Sequence, residues 1–300
     1  MGAMAQGAIS VFDIEPGVAA LGAGGTGIAT VNGAETLYYN PAGLSELPGI
    51  SFSSFYASHL GVADITAMAL TFRNWGIGFQ QLRSGDIAGY DDEGNPTDTL
   101  AYRNTGLVFG FGLDPSELAF LPSLPIDMSI GGTLKYATAD IGGSGGSGFT
   151  FDLGFRSGIP PLSLGPIRVS DVAFGITAVN LFGAMTYEVG SEERFPMDLR
   201  IAASARAAEV LVASLDLHLT GPLHAGVAYY PVQAFAIRAG IITGDALKVT
   251  AGVGVSVQGF LIDYAFASHT LGATHRVSLS LDFSGLDIAA LSGSLGRILP

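Results

Sequence analysis

Residues 249 to 283 read VTAGVGVSVQGFLIDYAFASHTLGATHRVSLSLDF, and their alternation decides the fold. Val249, Val253, Val255 and Val257 alternate with Thr250, Gly252, Gly254, Ser256 and Gln258. Phe260, Ile262, Tyr264 and Phe266 then alternate with Leu261, Asp263, Ala265 and Ala267, and Val277, Leu279, Leu281 and Phe283 with Arg276, Ser278, Ser280 and Asp282. A period of two puts one residue set on each face of a strand. Here one face is greasy and the other small or polar.

The same pattern extends toward the N-terminus. Phe149, Phe151, Leu153 and Phe155 face away from Thr150, Asp152, Gly154 and Arg156, and Leu107, Phe109, Phe111 and Leu113 away from Gly106, Gly110 and Gly112. Counting segments predicts about fourteen strands, at 50–59, 64–73, 75–84, 102–113, 125–140, 148–157, 170–182, 197–207, 210–220, 223–230, 233–243, 246–257, 259–268 and 275–284. An even number closes an antiparallel barrel.

Composition indicates which face is inside. Charged residues are 13% of the chain, Gly is 43 of 300, and mean hydropathy is +0.45, against about 25% charged residues in ordinary soluble domains. No run of about 20 strongly apolar residues offers a spanning helix. A hydrophobic chain without such helices satisfies its backbone in lipid by closing a β-barrel. A soluble sandwich would carry many Lys and Glu on its polar face, whereas this face is mostly Gly, Ser, Thr and Ala with isolated charges. The greasy face is therefore read as lipid-facing and the small face as lining the lumen. The fold class expected is an all-β, about 14-stranded antiparallel transmembrane barrel of residues 49–284, with a plug at 6–48 and a tail at 285–300.

The plug reading rests on Leu21 to Leu47, LGAGGTGIATVNGAETLYYNPAGLSEL. This stretch has too many glycines for a stable helix and too little apolar mass for its own core, so it must pack into something. Gly22-Ala23-Gly24-Gly25-Thr26-Gly27 matches G-x-G-x-x-G, but neither the preceding buried strand nor the following βαβ unit of a dinucleotide site is visible. Close packing of Gly22, Gly24, Gly25 and Gly27 against a barrel wall is the plainer reading. Tyr38-Tyr39-Asn40-Pro41-Ala42-Gly43 reads as a rigid turn, because Pro41 fixes its φ and Asn40 is suited to pin the turn through its side chain. The alternative, a turn that merely joins plug to first strand, stays open.

If the first strand runs outward, the outer loops include 85–101, Gly/Ser-rich 141–147, acidic 183–196 and 269–274, and the inner turns are mostly short, as at Asn74, Pro231-Val232 and Gln258-Gly259. The inner connections 114–124 and 158–169 are longer and Pro-rich, against that trend. Gly142 to Gly148, GGSGGSG, reads as a flexible linker. Net charge −13 argues against nucleic acid as a partner, and the absence of Cys suits an oxidising compartment. Ala3-Met4-Ala5 has the small-x-small look of a signal-peptidase site without the apolar region that precedes one.

Inward-facing charges of both signs are expected at Asp127, Lys135, Asp152, Arg156, Asp198, Arg200, Arg206, Asp216, Arg238, Asp263, Arg276 and Asp282. A cross-strand network filling the lumen is the simple reading, and a polar gate under the plug the sharper one. His59, His218, His224, His269 and His275 are scattered over different segments, and no catalytic motif stands out, so neither catalysis, metal nor cofactor is expected.

The Gly-rich GAGGTGIA, then LYYNPAGL, then HAGVAYYPVQAFAIRAGI and FLIDYAFASHTLGATHRVSLSLDF resemble PorV/PorQ-type outer-membrane proteins, relatives of the FadL fatty-acid channel superfamily. The resemblance implies a 14-stranded barrel in the outer membrane of a diderm bacterium, with an N-terminal hatch in its lumen and Asn40-Pro41-Ala42-Gly43 as hatch motif. FadL-like members pass hydrophobic molecules, often through a lateral opening in the wall. PorV-like members instead serve a secretion machine by shuttling cargo. The partners implied are membrane lipid, a hydrophobic small molecule or detergent in the lumen, and envelope proteins. The large extracellular insertions common in FadL are missing here.

Overall fold

A computed structural model describes residues 10–283 except 31, 60, 86–87, 91–92, 98, 100, 119–126, 189 and 271. The expected tail 285–300 and residues 6–9 lie outside the described residues.

The alternation folds into one antiparallel sheet of seventeen strands. Its first half contains β1 (Ser51–His59), β2 (Ala63–Phe72), β3 (Trp75–Ser84), β4 (Tyr102–Leu113), β5 (Asp127–Ile141), β6 (Ser144–Ile159), β7 (Leu162–Leu164), β8 (Ile167–Leu181) and β9 (Ala184–Tyr187). Its second half contains β10 (Glu192–Arg194), β11 (Asp198–Ala207), β12 (Leu211–His218), β13 (Leu223–Val232), β14 (Phe235–Ile242), β15 (Lys248–Val257), β16 (Phe260–His269) and β17 (Gly272–Asp282). β7, β9 and β10 are short extensions of hairpins; the other fourteen form the barrel. β1 pairs with β2 on one side, Phe55 opposite Ala67, and with β17 on the other, Phe55 opposite Ser278, so the ring is closed and has no free edge.

The faces divide as the period requires. Val253, Val255, Ile262 and Leu279 are 42, 46, 56 and 40% exposed on the outside, while Asp263 and Ser278 are 1% exposed within. No helix among the described residues is long and apolar enough to cross a membrane.

Two-residue connections hold neighbouring strands in register; the turn expected at Pro231-Val232 lies at 233–234 instead, because both residues still belong to β13 and Val232 pairs with Phe235. Gln258 and Gly259 take φ of 50° and 84°, the left-handed pair that matches strand twist in a tight hairpin. The GGSGGSG segment is not a linker. Gly142 and Gly143 make such a turn, with φ of 59° and 90°, and β6 begins at Ser144. Gly146 and Gly148 pair with Tyr187 and Met185 of β9, where the absence of side chains lets the Tyr187 ring lie against the strand. The expected loop 183–196 is accordingly the β9–β10 hairpin rather than an irregular segment, and the 158–169 connection carries β7.

In β8 the register against β6 shifts between Phe151 and Leu153, and Asn180 has φ of 56°. This bulge turns consecutive Val179 and Asn180 both inward, where both are buried.

Residues 10–47 form short turns of helix: 3-10 turns at Val11–Asp13, Gly33–Glu35 and Pro41–Glu46, α1 at Val18–Gly22 and α2 at Thr36–Tyr39. α1 packs on β14, β15, β16 and β17, and the Pro41–Glu46 turn on β3, β4, β5 and β6, on the other side of the ring. Contact with both sides places the segment within the barrel, where Val11, Val18, Leu37 and Leu44 are almost wholly buried.

Candidate functional site

The N-terminal segment is seated on inward glycines of the wall. Gly22 of α1 lies against Gly252 of β15, where a Cβ on Gly22 would come 3.0 Å from the Gly252 Cα. Gly24 and Gly25 follow with φ of 77° and 79°, a left-handed turn that glycine adopts at least cost. The Gly24 N–H donates to Thr250 Oγ1 at 2.9 Å, and Gly25 sits on the His224 ring. Gly226 of β13 and Gly240 of β14 leave room for the backbone of Ala23 and Gly24. Gly27 donates to the Asp216 carboxylate at 2.9 Å, as does Ile28 at 3.1 Å, and it accommodates the Tyr39 ring.

Opposite this seat lies the Asn-Pro-Ala-Gly turn. Asn40 Nδ2 donates to the Ile28 carbonyl at 3.1 Å and the Phe155 carbonyl of β6 at 3.0 Å, while its Oδ1 accepts from the Ala42 N–H at 3.2 Å. Asn40 thus caps the 3-10 turn that Pro41 starts and fastens it to the wall. The backbone of Pro41 and Ala42 rests on Gly112 and Gly131, and Gly43 leaves space for the Thr36 methyl. The Leu44 carbonyl accepts from the Asn74 N–H at 2.9 Å, joining the turn to the β2–β3 hairpin. Tyr39 is 2% exposed. Tyr38 points to the wall instead, where its hydroxyl donates to the Met68 carbonyl at 2.6 Å and lies beside Gly78 of β3.

The charged network is only partly the cross-strand one expected. Lys135–Asp152 and Arg238–Asp263, both at 2.6 Å, do bridge the wall, and Asn180 at the β8 bulge joins the first through Lys135 Nζ at 2.6 Å. Arg200 and Arg156 bridge instead to the plug carboxylates Glu15 and Glu46, and Arg276 donates to the Glu15 carbonyl at 2.7 Å. Asp198 lies beside Arg200 at 3.0 Å and accepts from Thr220, at the rim opposite the start of β1. Asp282 stands at the rim where β1 begins, in register with Ser51.

Burial alone would raise the Glu15 carboxyl, but the Arg200 guanidinium outweighs it and holds the group below its ordinary value. Glu35 goes the other way. Burial, then the nearby Asp263 carboxylate, push it up to about 8 against Arg238, the Val18 N–H and Arg276.

Three spaces surround these contacts. A small cavity of about 20 Å³ lies between plug and wall, lined in part by Phe12, Leu37, Lys135, Asp152 and Arg200. A polar vestibule of about 830 Å³ opens below the plug, at the rim where β1 begins. On the outer face of β2–β5 an apolar depression of about 470 Å³ is lined by Met68, Leu70, Ile77, Phe79, Leu107 and Phe109, with Ala69 and Gly78 among its lining residues. Among the described residues no group of three His, Cys, Asp or Glu is placed to hold a metal. His218 and His224 stack at 4.5 Å between ring centres.

No family model and no curated protein matches the chain. Solved structures do. The toluene transporter TodX of Pseudomonas putida is similar over 91% of this chain and 98% of its own, at 13% identity and a TM-score of 0.52. A FadL homologue of Pseudomonas aeruginosa is similar over 89% of this chain and 98% of its own, at 10% identity and a TM-score of 0.50. The likeness is one of fold.

Sequence reasoning missed Glu15, Glu35 and Glu46. The signal was present: residues 10–47 contain four acids, Asp13, Glu15, Glu35 and Glu46, and no Lys or Arg. Set against a wall bearing inward arginines, that imbalance marks the acids as wall contacts.

Proposed function

We propose that the chain is an outer-membrane barrel that passes small apolar molecules passively, its N-terminal segment moving to open the way. The carrying observation is the apolar depression over β2–β5. It lies on the outer face where Gly78 thins the wall, and Leu37 and Tyr38 of the plug reach Gly78 from within. A molecule leaving the lumen there passes from one apolar surface to another without crossing a charged ring. The fold shared with a toluene transporter and a FadL homologue supports the reading.

A second reading, a PorV-like subunit that shuttles or anchors envelope proteins without conducting, is favoured by the seating of the N-terminal segment against both sides of the ring, which leaves only about 20 Å³ between it and the wall beside Phe12, Leu37 and Lys135. Vesicles with a lipopolysaccharide outer leaflet separate the two. Passage predicts that pyrene enters protein-bearing vesicles faster than empty ones; equal rates would leave the non-conducting reading.

A further inference from the structure

On the outer face of β2–β5 the strand registers align side chains in four tiers. At the outer rim Asp64, Arg83, Arg103 and Asp140 stand in one line, all exposed. The next outward position on each strand gives Thr66, Gln81, Thr105 and Thr138, with the Gln81 amide donating to Thr105 Oγ1 at 3.2 Å. Below them come Met68, Phe79, Leu107 and Tyr136, then Leu70, Ile77, Phe109 and Leu134, which line the apolar depression of about 470 Å³. Charge, neutral polarity and hydrocarbon thus succeed one another across four strands.

The rim tier sets two like charges side by side. Arg83 lies directly opposite Arg103, an arrangement that repels across a strand pair. Asp64 and Asp140 flank them in register, yet among the described residues neither arginine forms an ion pair, and Asp64 accepts instead from the Tyr56 hydroxyl at 2.8 Å. A phosphate between the two guanidiniums accepts from both and turns the repulsion into two attractions. The Thr and Gln tier suits the ester and amide links of a lipid. The apolar tiers begin about 13 Å along the strands from the arginines, and four strands abreast span about 14 Å, room for several acyl chains rather than one.

In the orientation that puts the long loops outside, this is the outer-leaflet end of the wall. The lipid of that leaflet in a diderm bacterium is a phosphorylated, multiply acylated saccharide. We infer that β2–β5 bind one lipopolysaccharide molecule, its lipid A phosphate held by Arg83 and Arg103 and its acyl chains in the depression. This rests on the outer-membrane placement of the barrel and not on passage, so it stands whether or not the barrel conducts.

The test titrates the full chain in detergent with lipid A and reads the lipid-bound fraction by native mass spectrometry. Lipid A stripped of its phosphates should bind the unaltered protein tenfold or more weakly, about the worth of one charged hydrogen bond. Arg83→Gln together with Arg103→Gln, with the strands retained by circular dichroism, should produce the same loss and abolish the difference between the two lipids. Phosphatidylglycerol should bind more weakly than lipid A, and inorganic phosphate should fail to displace it. Equal binding of lipid A with and without phosphates would overturn the site, and the unaltered protein alone suffices to show it. Phosphatidylglycerol binding as tightly as lipid A would make the arginines a general anionic-lipid contact, and displacement by inorganic phosphate a simple anion site; either result would overturn the lipopolysaccharide assignment.

Discussion

Asn40 holds three backbone groups: two carbonyls, one on the plug and one on β6, and the N–H that opens the next turn. Asn40→Ala removes two donated bonds and a cap, so it should cost about 1 to 3 kcal/mol in urea unfolding of the detergent-solubilised protein. Asn40→Asp should be at least as damaging, because a carboxylate then faces two carbonyl oxygens. A loss below about 0.5 kcal/mol for either would remove Asn40 from this role. Glu35 gives a pH dependence of defined sign. Its carboxyl titrates near its ordinary 4.5 when the plug is released and at about 8 when seated. Between those values the seated form binds the extra proton, so seating is firmest below 4.5 and weakens as pH rises through about 8, by up to about 1.4 kcal/mol per pH unit. Leak conductance in planar bilayers should rise over that window. In Glu35→Gln the rise should vanish, and a slope that survives the substitution would assign it to another group.

At the scale of elements, the barrel strands were legible because side chains of contrasting size repeat every second residue, as in Val253-Gly254-Val255. Residues 144–148 were not, since Gly and Ser carry no contrast; their strand is set by backbone pairing, with 137–141 of β5 across the hairpin and, for 146–148, with Met185 to Tyr187 about forty residues along the chain. The seat of the plug was hidden for a related reason. Gly226, Gly240 and Gly252 come from three strands, and only the ladder brings them together under residues 22–24. The lipid-facing assignment predicts a gradient of cost along β15. Val253 pairs with Ile237 and Tyr264 in mid-strand, whereas Val257 ends β15 against Phe260. Val253→Arg should cost about 2 to 4 kcal/mol in reversible folding into bilayers and Val257→Arg about zero to one, with Val255→Arg between. Equal costs at the three sites would mean that β15 does not cross a hydrocarbon layer.

On the scale of the whole molecule, the chain is a ring of strands whose inward arginines face an acidic N-terminal segment. Arg156 and Arg200 pair with Glu46 and Glu15 of the plug, and Asp216 receives two plug N–H groups. Fourteen long strands enclose more space than small inward side chains can fill, and residues 10–47 occupy it. We propose that this segment is what keeps the lumen closed. Single-channel conductance in planar bilayers tests it most directly, comparing the full chain with one lacking residues 6–40. The full-length barrel should be nearly silent and steady ion conductance should appear after the deletion, with circular dichroism showing the strands retained. A deleted barrel that keeps its strands and stays as silent as the full chain would contradict it.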